Sequence, residues 1–86
     1  MRNERYRRFI KRFPCIVCGA TRYVDPMHTG PHALGQKASD LNCLPGCRQC
    51  HGAFDADPRG FALVHDLDIP LLIEFFNHLW ELRQTK

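Results

Sequence analysis

Two matched cysteine pairs, Cys15-x-x-Cys18 and Cys47-x-x-Cys50, constrain this chain more than any other feature in it. Each pair presents two thiolates on a tight turn, and two such knuckles supply the four soft ligands of a tetrahedral structural zinc. Twenty-eight residues lie between the pairs. Closing the site over them brings residue 15 beside residue 50 and folds the intervening chain back as a loop or hairpin against the segment that follows Cys47. A chain of 86 residues buries only a modest core, so a metal staple would carry much of its stability.

The run CRQCHGAFD, Cys47 to Asp55, offers a rival reading. C-x-x-C-H is also the attachment signature of c-type haem. Haem would use Cys47, Cys50 and His51 alone, leave Cys15 and Cys18 idle, and require export. Met1–Arg12, MRNERYRRFIKR, has no apolar run of signal length. A redox pair would leave one knuckle unexplained. The zinc reading uses both. Cys43 is left over and is expected as a small buried residue, not a ligand. An odd cysteine count, no export signal and no stretch near the roughly 18 apolar residues of a membrane span point to a reducing cytoplasm and no membrane partner.

The net charge is only +3, but it is unevenly spread. Arg2, Arg5, Arg7, Arg8, Lys11 and Arg12 are six of the twelve basic residues and share the first twelve positions with one acid, Glu4. Such an arm suits a polyanion such as nucleic acid.

Residues 3–12 read as a short helix with Tyr6, Phe9, Ile10 and Phe13 on one face and arginines on the other, stopped by Pro14. Short strands are expected near Arg22–Val24, Met27–Thr29 and Asn42–Leu44, within a loop rich in glycine and proline. Arg48–Ala56 reads as a helix. Asp57-Pro58 caps and starts the next, which carries Phe61, Leu63, Val64 and Leu67. Asp68 and Pro70 repeat that signal for a last helix, whose stripe of Leu71, Leu72, Phe75, Phe76, Leu79 and Trp80 is expected to pack in the core. A homodimer through this helix is the minor reading. The chain is one domain: a basic helix over 1–14, a zinc-stapled core over 15–56 and C-terminal helices over 57–86.

His51 and Asp55 stand i, i+4, on one face of the helix after the knuckle. An imidazole and a carboxylate form part of a shell for a divalent ion. The clamp would bring His28 and the Ser39–Asn42 region close to them.

With these residues in view, CIVCG…MHTGPHALGQKASDLNCLPGCRQCHGAFD resembles the HNH endonucleases of the ββα-metal (His-Me finger) fold. It is similar in particular to small phage- and prophage-encoded members with an A-H…G-x-G-x-K-x-x-D-L…C-x-x-C-H-x-x-x-D layout. The resemblance covers roughly residues 15–55. It implies a zinc-stapled ββα-metal core and metal-dependent hydrolysis of DNA; with the basic N-terminal helix and the two C-terminal helices read from the residues, which are not part of the resemblance, the expected fold is α+β. It makes His28 the general base. His51 and Asp55 become ligands of a catalytic divalent cation (Mg²⁺, Mn²⁺, Ni²⁺ or Zn²⁺). Either Asn42 or Asp40 would support the base. DNA would be held through its backbone, largely independent of sequence, by Arg5, Arg8, Arg12, Lys37 and Arg48. His32 would contact phosphate or order its loop. His65 and His78 are expected as ordinary surface or partly packed residues.

One departure stands out. Many relatives carry Asp or His directly before the base as an extra metal ligand, and this chain has Met27. That substitution favours the alternative, a non-catalytic zinc-stabilised module that binds nucleic acid or protein.

Overall fold

A computed structural model describes residues 3–29 and 39–84. In chain order the elements are α1 (Glu4–Ile10), β1 (Val24–His28), a 3-10 turn (Asp40–Asn42), β2 (Cys43–Cys47), α2 (Arg48–Ala56), α3 (Pro58–Val64) and α4 (Ile69–Gln84). The result is a small α+β unit with one two-stranded antiparallel sheet.

The capping signals work as the sequence suggests. Asn3 caps α1, its side chain accepting from the Tyr6 N–H at 3.0 Å. Asp57 caps α3 by accepting from the Gly60 N–H at 3.1 Å, and Pro58 takes the first helical position, where its missing N–H costs nothing. Asp68 accepts from the Leu71 N–H at 3.1 Å at the start of α4. Helix α1 is shorter than expected. Its last turn tightens into i→i+3 bonds, Arg12 N–H to Phe9 O and Phe13 N–H to Ile10 O, both 3.1 Å, before Pro14.

The strands depart more from expectation. The two short strands expected at 22–24 and 27–29 are one strand, β1, and β2 runs on through Pro45 and Gly46. The prolines permit this because they pair with each other, Pro26 opposite Pro45. In an antiparallel ladder alternate pairs direct their N–H and C=O groups away from the partner strand. Pro45 sits at such a position: its carbonyl points outward and accepts from the Ile16 N–H at 3.0 Å. Neither missing N–H therefore costs the ladder a bond.

The pleat divides the sheet into two faces. Val24, Pro26, His28, Cys43, Pro45 and Cys47 share one, and Asp25, Met27, Leu44 and Gly46 share the other. Helix α1 lies over the first, where its residues line a hollow with Pro26. Helix α2 approaches the second, bringing His51 beside Asp25. Met27, the residue in place of an expected ligand, is fully buried and packs over Gly46. A Cβ there would come within 2.9 Å of the Met27 Sδ, so glycine is what lets the strands close over this side chain.

Tyr6, Phe9 and Ile10 of α1 join Met27, Cys43, Leu44, Phe54, Phe61 and Phe76 in one core. Tyr6 donates its hydroxyl to Asn77 Oδ1 at 3.0 Å, and burial, helped by the nearby Cys43, pushes its phenol up to about 12. The α4 stripe is split. Phe76 is buried, and Leu72, Leu79 and Trp80 pack against the core, but Leu71 is 60% and Phe75 55% exposed. Leu63 and Val64 of α3 also face outward. A stripe broader than the contact available to it must leave its flanks uncovered. Among the described residues, no helix is long and apolar enough to cross a membrane.

Candidate functional site

The four knuckle cysteines come together as their spacing demands. The sulfurs of Cys15, Cys18, Cys47 and Cys50 all lie within 4.8 Å of one another. Cys18 and Cys47 Sγ are 3.7 Å apart. A tetrahedral zinc with Zn–S bonds of about 2.3 Å sets its sulfurs about 3.8 Å apart, so the cluster has the dimensions of such a site. Backbone donors already point at the sulfurs: Val17 N–H to Cys15 Sγ and Cys50 N–H to Cys47 Sγ, both 3.4 Å. Gly19, at φ +76°, turns the first knuckle through the left-handed region, where a side chain would be strained. Burial opposes ionisation of Cys15, but the surrounding hydrogen bonds win and bring its thiol down to about 6. Cys50 moves the other way, pushed far up by burial and by the neighbouring sulfurs of Cys47 and Cys15. Crowded sulfurs that admit one thiolate and resist the next call for a cation. These four residues are placed to hold a structural metal such as zinc.

A second constellation forms on the α1 face. His28 Nε2 lies 2.7 Å from Asp40 Oδ1. Asp40 is the only charged residue buried among those described, at 5% exposure. It also accepts from the Asn3 N–H and faces Arg7 Nε at 3.6 Å. Burial works against its charge, but the His28 imidazole, the Asn3 N–H and the Arg7 guanidinium together hold the carboxyl below its ordinary 3.8. Cys43 joins His28 and Asp40 in a group whose ligand atoms lie within 4.8 Å of one another, and it is fully buried. Burial and the adjacent Asp40 push its thiol up to about 12, so it is a neutral filler near neutral pH.

Asp40 thus ties α1 to β1, and its replacement has a calculable cost. Asp40→Ala leaves the Arg7 Nε, already buried without a hydrogen bond, with no counter-charge. The expected loss is about 2–4 kcal/mol in urea unfolding near neutral pH. Because the folded carboxyl titrates below 3.8, its contribution is fully present above that value and drains away as pH falls through the lower folded value. Wild type and variant should therefore converge in stability on acidification. An equal gap at every pH would refute the ionic account.

On the other face, His51 sits between two carboxylates. Its Nε2 is 3.3 Å from Asp55 Oδ2 on the same helix, and its Nδ1 is 3.6 Å from Asp25 Oδ2 on β1. The i, i+4 spacing accounts for Asp55. Asp25 was not evident from sequence, because its proximity depends on the strand register; the available signal is its even separation from Met27, which puts it on the same strand face as the missing ligand. Arg48 also reaches Asp25, at 3.9 Å, and lies over the Tyr23 ring at 5.2 Å.

His28 and His51 do not confront each other across the clamp as the sequence suggests. Asp25 and His28 are three apart on one strand, and the pleat sends an odd separation to opposite faces. His28 turns to Asp40, His51 to Asp25 and Asp55. Of the two candidates to support His28, the side chain in place is that of Asp40. Asn42 acts through its backbone, accepting from Thr29 Oγ1–H at 2.6 Å. Arg5, Arg8 and Arg12 are exposed on or just beyond α1, whereas Arg7 turns inward. His65 and His78 are exposed, with the His65 ring against Phe61 at 4.3 Å. His32 and Lys37 lie outside the described residues.

The chain is 34% identical over 77 residues to the uncharacterized protein YdfU of Escherichia coli (strain K12), an alignment that takes in 86% of this chain and 22% of that protein. The chain therefore spans about a fifth of this curated relative's length. No solved structure matches it. The family model described as "Protein of unknown function (DUF968)" matches residues 1–82, nearly the whole chain, and the protein accordingly belongs to the DUF968 family.

Proposed function

We propose that this domain is a metal-dependent HNH-type nuclease that hydrolyses phosphodiester bonds of DNA. One observation carries the reading: His51 is flanked on its two ring nitrogens by Asp55 and Asp25, at 3.3 and 3.6 Å. A metal-binding imidazole characteristically gives one nitrogen to the ion and the other, through its N–H, to a carboxylate that fixes the ring. His51 Nε2 and Asp55 would hold the divalent cation, and Asp25 would orient the ring. Asp25 also restores negative charge to the face on which Met27 provides none.

His28 serves as the base. Its Nε2–H donates to Asp40, which fixes the tautomer and leaves Nδ1 with the lone pair. Nδ1 takes a proton from water, the water oxygen bonds to phosphorus, and the P–O3′ bond breaks as the 3′ oxygen leaves with the bonding electron pair and takes a proton from solvent water. The bound cation would stabilise charge on the phosphate and on the leaving oxygen. Strand β1 pairs with β2 along one edge and has no strand partner on the other among the described residues. A DNA backbone running along the β1 edge would have His28 to one side and His51 with Asp55 to the other. The four-cysteine metal, read as structural zinc, clamps the hairpin to α2. Exposed arginines hold the backbone through phosphate contacts.

The test is a plasmid-nicking assay on zinc-loaded protein with Mg²⁺, Mn²⁺, Ni²⁺ or added Zn²⁺. Cutting is expected with at least one of them. His51→Ala should raise the metal concentration required at least tenfold, the lower end of what loss of a metal-orienting contact costs. Cutting by His51→Ala at wild-type metal concentrations would overturn the assignment.

A second reading, a zinc-stapled binding module without catalysis, is favoured by the strand parity that puts His28 and Asp25 on opposite faces. It predicts DNA retention with no cutting under any of the four metals.

A further inference from the structure

We propose that the cleft between α1 and α4 is a binding site for single-stranded nucleic acid, with phosphates on its arginines and a base against Trp80. The cleft has a volume of ≈ 180 Å³. Arg5, Arg8 and Arg12 line it from α1 and the turn after it; Arg83 lines it from α4, and Phe9 and Trp80 complete the aromatic part of the lining. No acidic residue lines it. Arg5 and Arg8 stand at i, i+3 on one face of α1, Arg12 follows in the turn beyond it, and Trp80 and Arg83 stand at i, i+3 on one face of α4.

Four guanidiniums meeting at one cleft repel one another, and little nearby offsets them. Arg8 has Glu4 at 3.3 Å, but both side chains are well exposed and such a pair is weak. Arg83 lies over the Phe9 ring, 5.8 Å from its centroid. Planar, permanently charged guanidiniums match phosphate oxygens in bidentate geometry. The aromatic lining adds what a phosphate alone would not need. Trp80 is half-buried, anchored edge-on against Tyr6 at 5.4 Å and tilted on Phe9 at 5.1 Å, and its remaining surface opens to the cleft. Arginines interleaved with an anchored aromatic ring are the elements that hold a single strand by backbone and by stacking. The cleft is too small to admit a duplex.

The choice of a nucleic-acid occupant rests on the nuclease reading above; the cleft does not. Trp80 is the only tryptophan of the chain, so its fluorescence reports on this cleft alone. Zinc-loaded full-length protein is titrated with a twelve-nucleotide oligothymidine, with the matching duplex, and with pyrophosphate. The single strand is expected to quench Trp80. Its affinity should fall with salt on a log–log slope of about −2 to −3, at about −0.7 for each phosphate contacted. Arg12→Ala with Arg83→Ala should weaken binding at least tenfold and flatten the slope by about 1.4, for two lost contacts, with the circular dichroism spectrum unchanged. Wild-type binding by the double variant, equal quenching by duplex, or saturation by pyrophosphate at the oligonucleotide's own concentration would each overturn the proposal. Absent cutting with intact quenching defeats only the nuclease reading, and absent quenching with intact cutting defeats only this one.

Discussion

Cys47→Ser should leave the domain unfolded at room temperature, and chelating the metal from the wild type should do the same. Structural zinc binds peptides of this kind with about 10–16 kcal/mol at neutral pH, and that energy is folding energy because the unfolded chain has no formed site. The net stability of a whole domain is about 5–15 kcal/mol. Loss of the metal therefore removes an amount comparable to everything the fold retains. Besides the metal, the first knuckle is held by the Ile16–Pro45 hydrogen bond and by Ile16 and Val17, which are only partly buried against the core. Cys47 is a severe place to cut, since its sulfur also caps α2 by accepting from the Cys50 N–H. The control is Cys43→Ala, which removes a buried thiol from outside the cluster. It should keep one zinc per chain and melt cooperatively at a somewhat lower temperature. Circular dichroism and metal analysis on both variants decide the matter. A Cys47→Ser protein with the wild-type melting temperature would show that the clamp is not what holds the fold.

What was legible in the sequence was local. Two Cys-x-x-Cys turns, the Asp57-Pro58 start of α3 and the run of α2 from Arg48 to Ala56 each depend on residues a few positions apart, and each stands where expected. Features set by pairing across the chain were not legible. Pro26 and Pro45 read as loop residues, because only the register shows that they face each other at positions needing no N–H. Asp25 falls in the stretch that reads as loop until that register places it against His51. Arg7 counts as one more cation of a basic arm until the burial of Asp40 draws it inward. The sequence leaves Asp40 and Asn42 both open as the partner of His28, with nothing to choose between them. The structure places the Asp40 carboxylate 2.7 Å from His28, while the Asn42 carbonyl is turned to Thr29.

That contact gives the second large expectation. His28→Ala should lower DNA cutting by about 10²–10⁴-fold, the range a positioned general base contributes. Stability should move much less, since His28 is partly exposed, at 36% of its side chain, and lies at the end of β1. Metal demand should move far less than in His51→Ala, because His28 is not one of the two residues assigned to the cation. This separates it from His51→Ala, whose defect should be relieved by raising the metal concentration. Asp40→Asn tests the link between orientation and rate. The amide can still meet His28, but it removes the charge that fixes the imidazole, so cutting should fall while metal demand stays constant. If Asp40 acts only through His28, the double variant His28→Ala/Asp40→Asn should cut no worse than His28→Ala alone, since effects within one unit do not add. A double variant far slower than either single one would assign Asp40 a role independent of the base, and undiminished cutting by His28→Ala would remove His28 from the chemistry altogether.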